Sequence, residues 1–273
     1  MAGVTIGGSL TGAPYGNLVG KISSEGDLGL VRIGGHMTGG RLIESSHRIR
    51  GVTIGGSIIS GASGSGSIRA GDDIGSLIVK GGVLGDSGSP VFIIARGQAA
   101  ATATTDLAIG STNIGGRVEH IAILGGYQTF PFDSDPIAMD GNAQIGSVIL
   151  GGDWIASSIV AGVEDTNHDG FGNSDDAVIG GGAPIAKIAS ILIKGIVVGT
   201  GDSSSDHFGF ESHEIGAFSS VGFIAAFLGG PTGCGRAVAP YGGCDDPGGV
   251  RLRRAGRTIP PMTRRPRERS GRG

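Results

Sequence analysis

The densest group of oxygen-bearing side chains lies in Asp-Thr-Asn-His-Asp-Gly-Phe-Gly-Asn-Ser-Asp-Asp, residues 165–176. This stretch matches the calcium-loop pattern D-x-[DN]-x-[DN]-G. Calcium takes about six to eight hard oxygen ligands, and alternate positions of a tight loop can turn their oxygens toward one centre. Glycine at the sixth position permits the sharp turn that such a loop needs. We therefore predict a calcium site whose ligands are Asp165, Asn167, Asp169, the carbonyl of Phe171, Asn173 (directly or through water) and Asp176.

Two features depart from the intracellular form of this pattern. The twelfth position is Asp176 rather than glutamate, and no amphipathic helix pattern flanks residues 164–176. The loop therefore resembles dockerin-type and other extracellular Asp-rich calcium loops more than an EF-hand. That resemblance implies a dissociation constant of about 10⁻⁴–10⁻³ M and a role in ordering a long loop, not in catalysis. The alternative is a polar Gly/Asp turn between structural repeats that binds no ion.

A second motif, Gly-Asp-Ser-Gly-Ser-Pro at residues 85–90, is similar to the nucleophile segment of trypsin-like serine proteases. Those enzymes also need a histidine and an aspartate that activate the serine. The upstream histidines, His36 and His47, lie in repeat-like surroundings, and only 86 residues precede Ser87, which is short for the two barrels of that family. We interpret the motif as coincidental. No catalytic residues are predicted.

The elements that must position these loops are copies of one short phrase, clearest in Ile-Gly-Ser-Leu-Ile-Val-Lys-Gly-Gly at residues 74–82. The phrase places apolar residues at its first, fourth and sixth positions. The full copies are Met1/Val4/Ile6, Leu28/Val31/Ile33, Ile49/Val52/Ile54, Ile74/Leu77/Val79, Val118/Ile121/Ile123, Ile145/Val148/Leu150 and Ile188/Ile191/Ile193. Most steps between copies are 21 to 27 residues. Two are 44 and 43 residues, which indicates a degenerate copy hidden in each. The next copy fails at Ser220, where we expect the fold to end.

Two further strand-like elements recur between the phrases. One is rich in small residues, as in Ser67–Ala70 and Ser157–Ala161, and the other follows the double glycine, as in Val83–Leu84. Three short strands in a period of 21–27 residues, with no helical periodicity, predict an all-β fold: a parallel, three-sided β-helix of about nine to ten coils. An antiparallel β-sandwich with glycine turns is the alternative, but a sandwich does not require a repeated phrase.

The fifth position of the phrase should point outward from the coil. Its residues begin polar and become apolar along the chain, which predicts either an apolar stripe that meets a partner or scattered exposed residues of no special role. In chain order these residues are Thr5, Arg32, Thr53, Ile78, Ala122, Ile149 and Leu192.

Composition and charge divide the chain into two parts. Glycine is 57 of 273 residues, whereas aromatic residues are 5% and charged residues 16%. Residues 1–228 hold the repeats and carry 11 basic and 21 acidic residues, a formal charge of −10. Residues 229–273 form an Arg/Pro/Gly-rich tail with ten arginines and three acidic residues, a formal charge of +7. Because the tail shows no apolar periodicity, we expect it to be disordered.

The tail has few aromatic residues, so we predict no nucleic-acid binding. No membrane-spanning stretch and no signal peptide are evident.

The repeat phrase, together with Ala-Gly-Val-Glu-Asp at residues 161–165 and Asp-His-Phe-Gly-Phe at 206–210, is similar to glycine-rich β-solenoid repeat proteins of environmental bacteria. These are the planctomycete and verrucomicrobial proteins described as autotransporter-like or filamentous-haemagglutinin-like. The resemblance covers about residues 1–218. It implies an exported or cell-surface protein, of which this chain would be a fragment.

For function we predict a non-enzymatic structural or adhesive β-solenoid segment with one calcium-binding loop. Its partners would be a polysaccharide or a cell-surface protein, with end-to-end or lateral solenoid contacts. The alternative is a carbohydrate-active β-helix enzyme, a lyase or hydrolase. A cleft that holds two or more carboxylates beside an arginine or lysine would favour the enzyme.

Overall fold

The protein is a parallel β-helix, as predicted. The computed structural model describes residues 2–12, 20–40, 42–61, 66–129, 136–172, 176–180, 182–199, 207–224 and 252–254, and every regular element in these ranges is a strand. Strands of successive coils pair in parallel and form three faces. Because no helix occurs in the described ranges, none there is long and apolar enough to cross a membrane.

The first face carries the repeat phrase. Its strands are β1 Ala2–Ile6, β4 Leu28–Ile33, β7 Ile49–Ile54, β10 Leu77–Val79, β13 Leu107–Ile114, β18 Gln144–Leu150, β23 Lys187–Val198 and β25 Glu214–Ile224. The second face consists of short strands after the glycine corner: β2 Leu10–Thr11, β5 Met37–Thr38, β8 Ile58–Ile59, β11 Val83–Leu84, β14 Val118–Glu119 and β19 Trp154–Ile155. Since β23 pairs with both β18 and β19, these two faces form one sheet.

The third face is a separate sheet of eight strands. These are β3 Lys21–Ser24, β6 Leu42–Ser45, β9 Ser67–Ala70, β12 Val91–Ala95, β15 Ile121–Gly125, β20 Ser158–Ala161, β24 Phe210–Ser212 and β26 Leu252–Arg254. Two antiparallel hairpins stand beside it, β16 Tyr127–Gln128 with β17 Ile137–Ala138 and β21 Val163–Glu164 with β22 Ala177–Val178.

The core consists of like residues stacked in register. In one column, Ile33, Ile54, Val79, Ile114 and Leu150 lie above one another on the first face, and each is at most 1% exposed. Burying one such side chain contributes about 1.5–3 kcal/mol. Each coil is therefore stabilised by the apolar surface that it buries against its neighbours, which a single coil could not bury alone.

The glycine corners are required by close stacking rather than by an unusual backbone conformation. A β-carbon on Gly34 would lie 2.1 Å from the carbonyl oxygen of Gly7, and one on Gly55 would lie 2.2 Å from that of Gly34. Neither glycine has a positive φ. A side chain at these corners would therefore push adjacent coils apart.

The predicted number of coils was too high, and the predicted coil length of 21–27 residues fits the early coils but not all of the later ones. Register shows eight first-face strands in the described ranges, not nine or ten. The first long step hides a degenerate copy, as predicted, but the second hides none, because Val148 pairs directly with Ile191. Leu77 pairs with Thr112, so the fifth copy of the phrase is Ile109/Thr112/Ile114. Val118 belongs to the second face, and Ile121 opens a strand of the third. Leu77 to Thr112 spans 35 residues and Val148 to Ile191 spans 43, because extra residues are inserted at a corner.

The outward positions of the first face include exposed apolar residues, but they do not form a continuous apolar stripe. Ile78 and Leu192 are 41% and 38% exposed, as the phrase predicts. The residue between Ile78 and Ile149 in the ladder is Asn113, whereas Ala122 lies on the third face. The stripe is therefore not continuously apolar.

The end of the repeats differs in detail from expectation. β25 continues past Ser220 and pairs with β23 as far as Ile224. Within the tail the structure describes only Leu252–Arg254, which pairs in parallel with β24. The rest of residues 229–273, and with it the predicted disorder, lies outside the described residues.

A cleft on the third face

A cleft of about 710 Å³ lies outside the solenoid, on its third face. Outward residues of β12, β15 and β20 form its floor. The β16–β17 hairpin forms one wall, and the loop that follows β21, with Phe208 and its neighbours, forms the other. The long corners of the later coils therefore create the cleft.

The floor changes polarity where the hairpins begin. Along one outward row of the third face the residues are Ser23, Glu44 and Arg69 in the early coils, followed by Ile94, Leu124 and Val160 in the later coils. The apolar members form a second hydrophobic cluster outside the main core, together with residues of the hairpins. The sequence thus places apolar residues on this face only where another element covers it.

A tyrosine joins the two hairpins. Gly126 and Gly162, with φ of 94° and 64°, turn the chain outward at the same corner of successive coils. Tyr127 follows the first turn, is 3% exposed and donates its hydroxyl to the carbonyl of Val163 beside the second turn. Burial, reinforced by the nearby carboxylates of Asp165, Asp176 and Glu164, raises the pKa of Tyr127 far above its ordinary value. Its hydroxyl therefore remains a hydrogen-bond donor at all physiological pH values.

Two carboxyl groups meet at the base of the first hairpin. Asp106 is 3% exposed, accepts a 2.6 Å hydrogen bond from the backbone N–H of Gln98 and lies near the carboxyl group of Asp140. A β-carbon on Gly97 would lie 2.7 Å from Asp106 Oδ1 and 3.0 Å from Asp140 Oδ2, so only glycine leaves room for both. Burial above all, and also Asp140, raises the pKa of Asp106, although Gln98 N–H and Arg96 oppose the rise.

The predicted calcium loop lies at the edge of the cleft. The two carboxylate oxygens of Asp165 accept hydrogen bonds from the backbone N–H groups of His168 and Gly170 at 2.7 and 2.8 Å. Asn167 Oδ1 accepts one from the N–H of Asp169 at 3.1 Å, and Asp176 accepts one from the N–H of Gly172 at 2.6 Å. The loop is thus closed by its own side chains.

Three of the predicted ligands contribute to the cleft itself: Asp165, Asp169 and Phe171 line it. Asn167 and Asp176 lie in the same loop, and Asn173 lies outside the described residues. In the part of the chain that the structure covers, no three His, Cys, Asp or Glu side chains form a group that could hold a metal ion. Calcium binding therefore stays a prediction.

The loop also packs against the segment that precedes β24. The N–H of His207 donates to the carbonyl of Asp169 at 2.9 Å, and His207 Nε2 lies 3.7 Å from Asp169 Oδ2. Gly170, with φ of 104°, approaches so closely that a β-carbon there would lie 2.2 Å from the carbonyl oxygen of His207. His207 is thus a packing partner of the loop.

The protease-like motif forms a tight turn at the opposite end of the cleft. The backbone groups of Asp86 and Ser89 bond each other, and Asp86 Oδ1 accepts the N–H of Gly88 at 2.9 Å. Ser87 is exposed and lines the cleft, as does His120, but within the described residues no hydrogen bond joins Ser87 to a histidine. His36 and His47 lie elsewhere, where they contact Ser57 and Asp72.

Several cleft residues could not be identified from the sequence. His120 adopts a left-handed backbone conformation, φ 46°, at the corner before β15, and its ring meets that of Phe208 edge-on at 5.9 Å. No spacing signals either residue. Tyr127 offered a weak signal, because a tyrosine directly after Gly125 and Gly126 is unusual in a chain so poor in aromatic residues.

The charge of the cleft is one-sided. Glu164, Asp165 and Asp169 line it together with three histidines, and its described lining contains no arginine or lysine. The carboxylates that would favour an enzyme are therefore present without the predicted basic neighbour.

Comparison with known proteins adds no relative to this picture. No family model, no curated protein and no solved structure matches the chain.

Proposed function

We propose that this chain is a structural and adhesive β-solenoid that holds an external ligand in the cleft of its third face. The observation that supports this proposal is the cleft of about 710 Å³. Ligand sites are typically concave and mostly apolar, with a few polar groups placed to orient the ligand. This cleft has such a lining, and it lies on a scaffold of eight stacked coils.

The ligand class that suits this geometry is a polysaccharide. Phe92, Phe171 and Phe208 are half-buried in the lining and leave part of each ring accessible, and carboxylates beside them can accept hydrogen bonds from hydroxyl groups. Adhesion to such a ligand would take place outside the cell, so an exported or surface location accompanies the proposal.

Affinity electrophoresis through gels that contain different soluble polysaccharides tests this function. We expect at least one polysaccharide to retard the protein. Ile137→Ala, at the cleft, should reduce the retardation, whereas Ile78→Ala, on the first face, should leave it unchanged. Both isoleucines are exposed, 51% and 41%, which makes them a matched pair. Retardation by none of the polysaccharides, or equal retardation of both variants, would refute the proposal.

Hydrolysis or lyase chemistry is a second candidate, and the carboxylates and histidines within one cleft favour it. Such side chains can act as general acids and bases when they lie within reach of a bound substrate. Incubation with any retarding polysaccharide, followed by measurement of new reducing ends and of unsaturated products, separates the two functions. Turnover that Glu164→Gln abolishes would establish an enzyme, and a ligand recovered intact supports adhesion.

A further inference from the structure

We infer that the ligand of the third-face cleft is a polysaccharide that carries free amino groups. This inference rests on the proposed function, since it names the chemistry of the ligand that the cleft would hold. Three independent features of the cleft support it: its charge, its aromatic lining and its length.

The charge of the cleft selects against acidic ligands and for cationic ones. Three carboxylates line it, and Asp86 and Asp176 lie in the segments at its two ends. Burial above all, and with it the carboxylates of Asp165, Asp176, Glu164 and Glu211, raises the pKa of Tyr127, which lines the same cleft. A ligand with uronate or sulfate groups would be repelled there, whereas protonated amines would be attracted.

Glu164 is best placed among the carboxylates to meet such an amine. Its side chain is exposed, whereas both oxygens of Asp165 accept backbone hydrogen bonds and Asp169 lies against His207. Glu164 precedes the loop directly at the end of β21, where its pairing with Ala177 in the hairpin holds its backbone beside the cleft. Its carboxylate can accept charge-assisted hydrogen bonds without disrupting the loop.

The aromatic lining suits a sugar amine better than a simple inorganic cation. Phe92, Phe171 and Phe208 are half-buried and distributed over both ends of the cleft, with Ala122 and Leu124 between them. Ring faces attract cations, and they also pack against the C–H groups of a sugar ring. An inorganic cation would use only the first of these contacts.

The length of the cleft fits an extended chain. Phe92 and Ala122 are register partners on successive strands, Ala122 pairs in turn with Ser158, and Gly209 bonds the next residue of that strand, Ile159. Three steps between strands at about 4.8 Å each give a floor of about 14 Å, parallel to the solenoid axis. Several consecutive sugar residues could therefore lie along it.

Calorimetric titration with two matched oligosaccharides tests the inference. Glucosamine oligomers and their N-acetylated counterparts of equal length differ only in the amine, so their ratio isolates its contribution. We expect the amine form to bind about tenfold more tightly, as the loss of a charge-assisted contact implies. Glu164→Gln should remove most of that difference. Glu25→Gln, an exposed glutamate at the same corner but several coils before the cleft, should keep it.

The other possible binding results contradict either the inference or the proposed function. Equal binding of both oligomers, or tighter binding of polygalacturonate, overturns the inference but leaves the polysaccharide function standing. Equally tight binding of a lysine oligopeptide also overturns it, because the cleft would then recognise cations in general. If no saccharide of any kind binds, the proposed function itself fails.

Discussion

The carboxyl groups of Asp106 and Asp140 lie together beside Gly97, although they belong to different coils: a β-carbon on Gly97 would be 2.7 Å from Asp106 Oδ1 and 3.0 Å from Asp140 Oδ2. Asp106 closes the insertion between β12 and β13, and Asp140 ends the β16–β17 hairpin, where its N–H donates to the carbonyl of Gly126 at 3.0 Å. Burial above all, and with it the neighbouring carboxylate of Asp140, raises the pKa of Asp106, so the folded state favours the protonated form of Asp106. The first wall of the cleft is thus attached to the solenoid by a contact that depends on protonation.

This pair makes stability depend on pH. Because the folded state raises the pKa of Asp106 above its unfolded value, the folded state binds the proton more tightly. The stability contributed by that proton is present at acidic pH, below the unfolded pKa, and is lost as pH rises through the folded pKa.

Asp106→Asn keeps an acceptor for Gln98 N–H and cannot ionise. We expect it to melt at a higher temperature than the wild type at pH 7, with the difference shrinking toward pH 4. Glu25→Gln, which removes an exposed carboxyl group, serves as the control, and equal melting curves of Asp106→Asn and wild type at pH 7 would contradict the prediction.

Thr112 is a polar residue in an otherwise apolar core column. It is 1% exposed, it lies between Leu77 and Val148, and its hydroxyl has no hydrogen-bond partner within the described structure. A buried hydroxyl without a partner costs about 1–3 kcal/mol. We expect Thr112→Val to increase the free energy of unfolding by about 1 kcal/mol in urea titrations. Thr53→Val, at an outward position, should change it little, and a destabilised Thr112→Val would show that the hydroxyl is satisfied in solution.

The same threonine explains where sequence reasoning failed. Full copies of the apolar phrase located six of the eight first-face strands, and the incomplete copy that fails at Ser220 marked a seventh, β25, because inward apolar residues recur in the same register on each of these strands. Thr112 broke the pattern in the remaining strand. Val118, Ile121 and Ile123 happen to show the same spacing, although they bridge two faces. A one-dimensional pattern cannot distinguish a strand that turns a corner from one that does not.

The cleft was less predictable than the coils. Its walls are insertions at a corner, and their residues contact one another only because successive coils bring Gly126 and Gly162 into register. The loop at 165–176 could be identified, since its Asp and Gly spacing is local. Pairing of that loop with His207 depends on a later coil, and no local pattern encodes it.

Corner glycines should tolerate no side chain. Gly34→Ala places a β-carbon 2.1 Å from a backbone oxygen of the preceding coil, and relief requires the coils to separate. Overpacking of this kind costs about 1–3 kcal/mol, which we expect as a lower free energy of unfolding. Gly26→Ala is the matched control, because no heavy atom lies within 4 Å of the position of its β-carbon. If both variants unfold at the same denaturant concentration, the corners are more pliable than the stacking implies.

Loss of the Tyr127 hydroxyl should loosen both hairpins together. Tyr127→Phe keeps the ring against Phe171, 6.2 Å between centroids, but leaves the carbonyl of Val163 without its donor. We expect a loss of about 1–2 kcal/mol. Hydrogen exchange should increase in both hairpins, at residues 127–129, 137–138, 163–164 and 177–178, and remain unchanged in β4 and β7. Faster exchange throughout the solenoid would instead indicate a global effect.

Calcium binding can be tested with a substitution that keeps one of the two hydrogen bonds by which Asp165 closes the loop. Asp165→Asn retains one oxygen for the backbone N–H groups of His168 or Gly170 but removes the charge that a cation needs. If the loop binds calcium, addition of the ion at about ten times its dissociation constant should stabilise the wild type by about 1.4 kcal/mol. The variant should respond far less, and magnesium should have little effect, since it demands a tighter octahedral shell. A melting temperature of the wild type that stays constant up to about 10 mM calcium, above the weak extracellular range, would show that residues 165–176 are a polar turn closed by their own side chains.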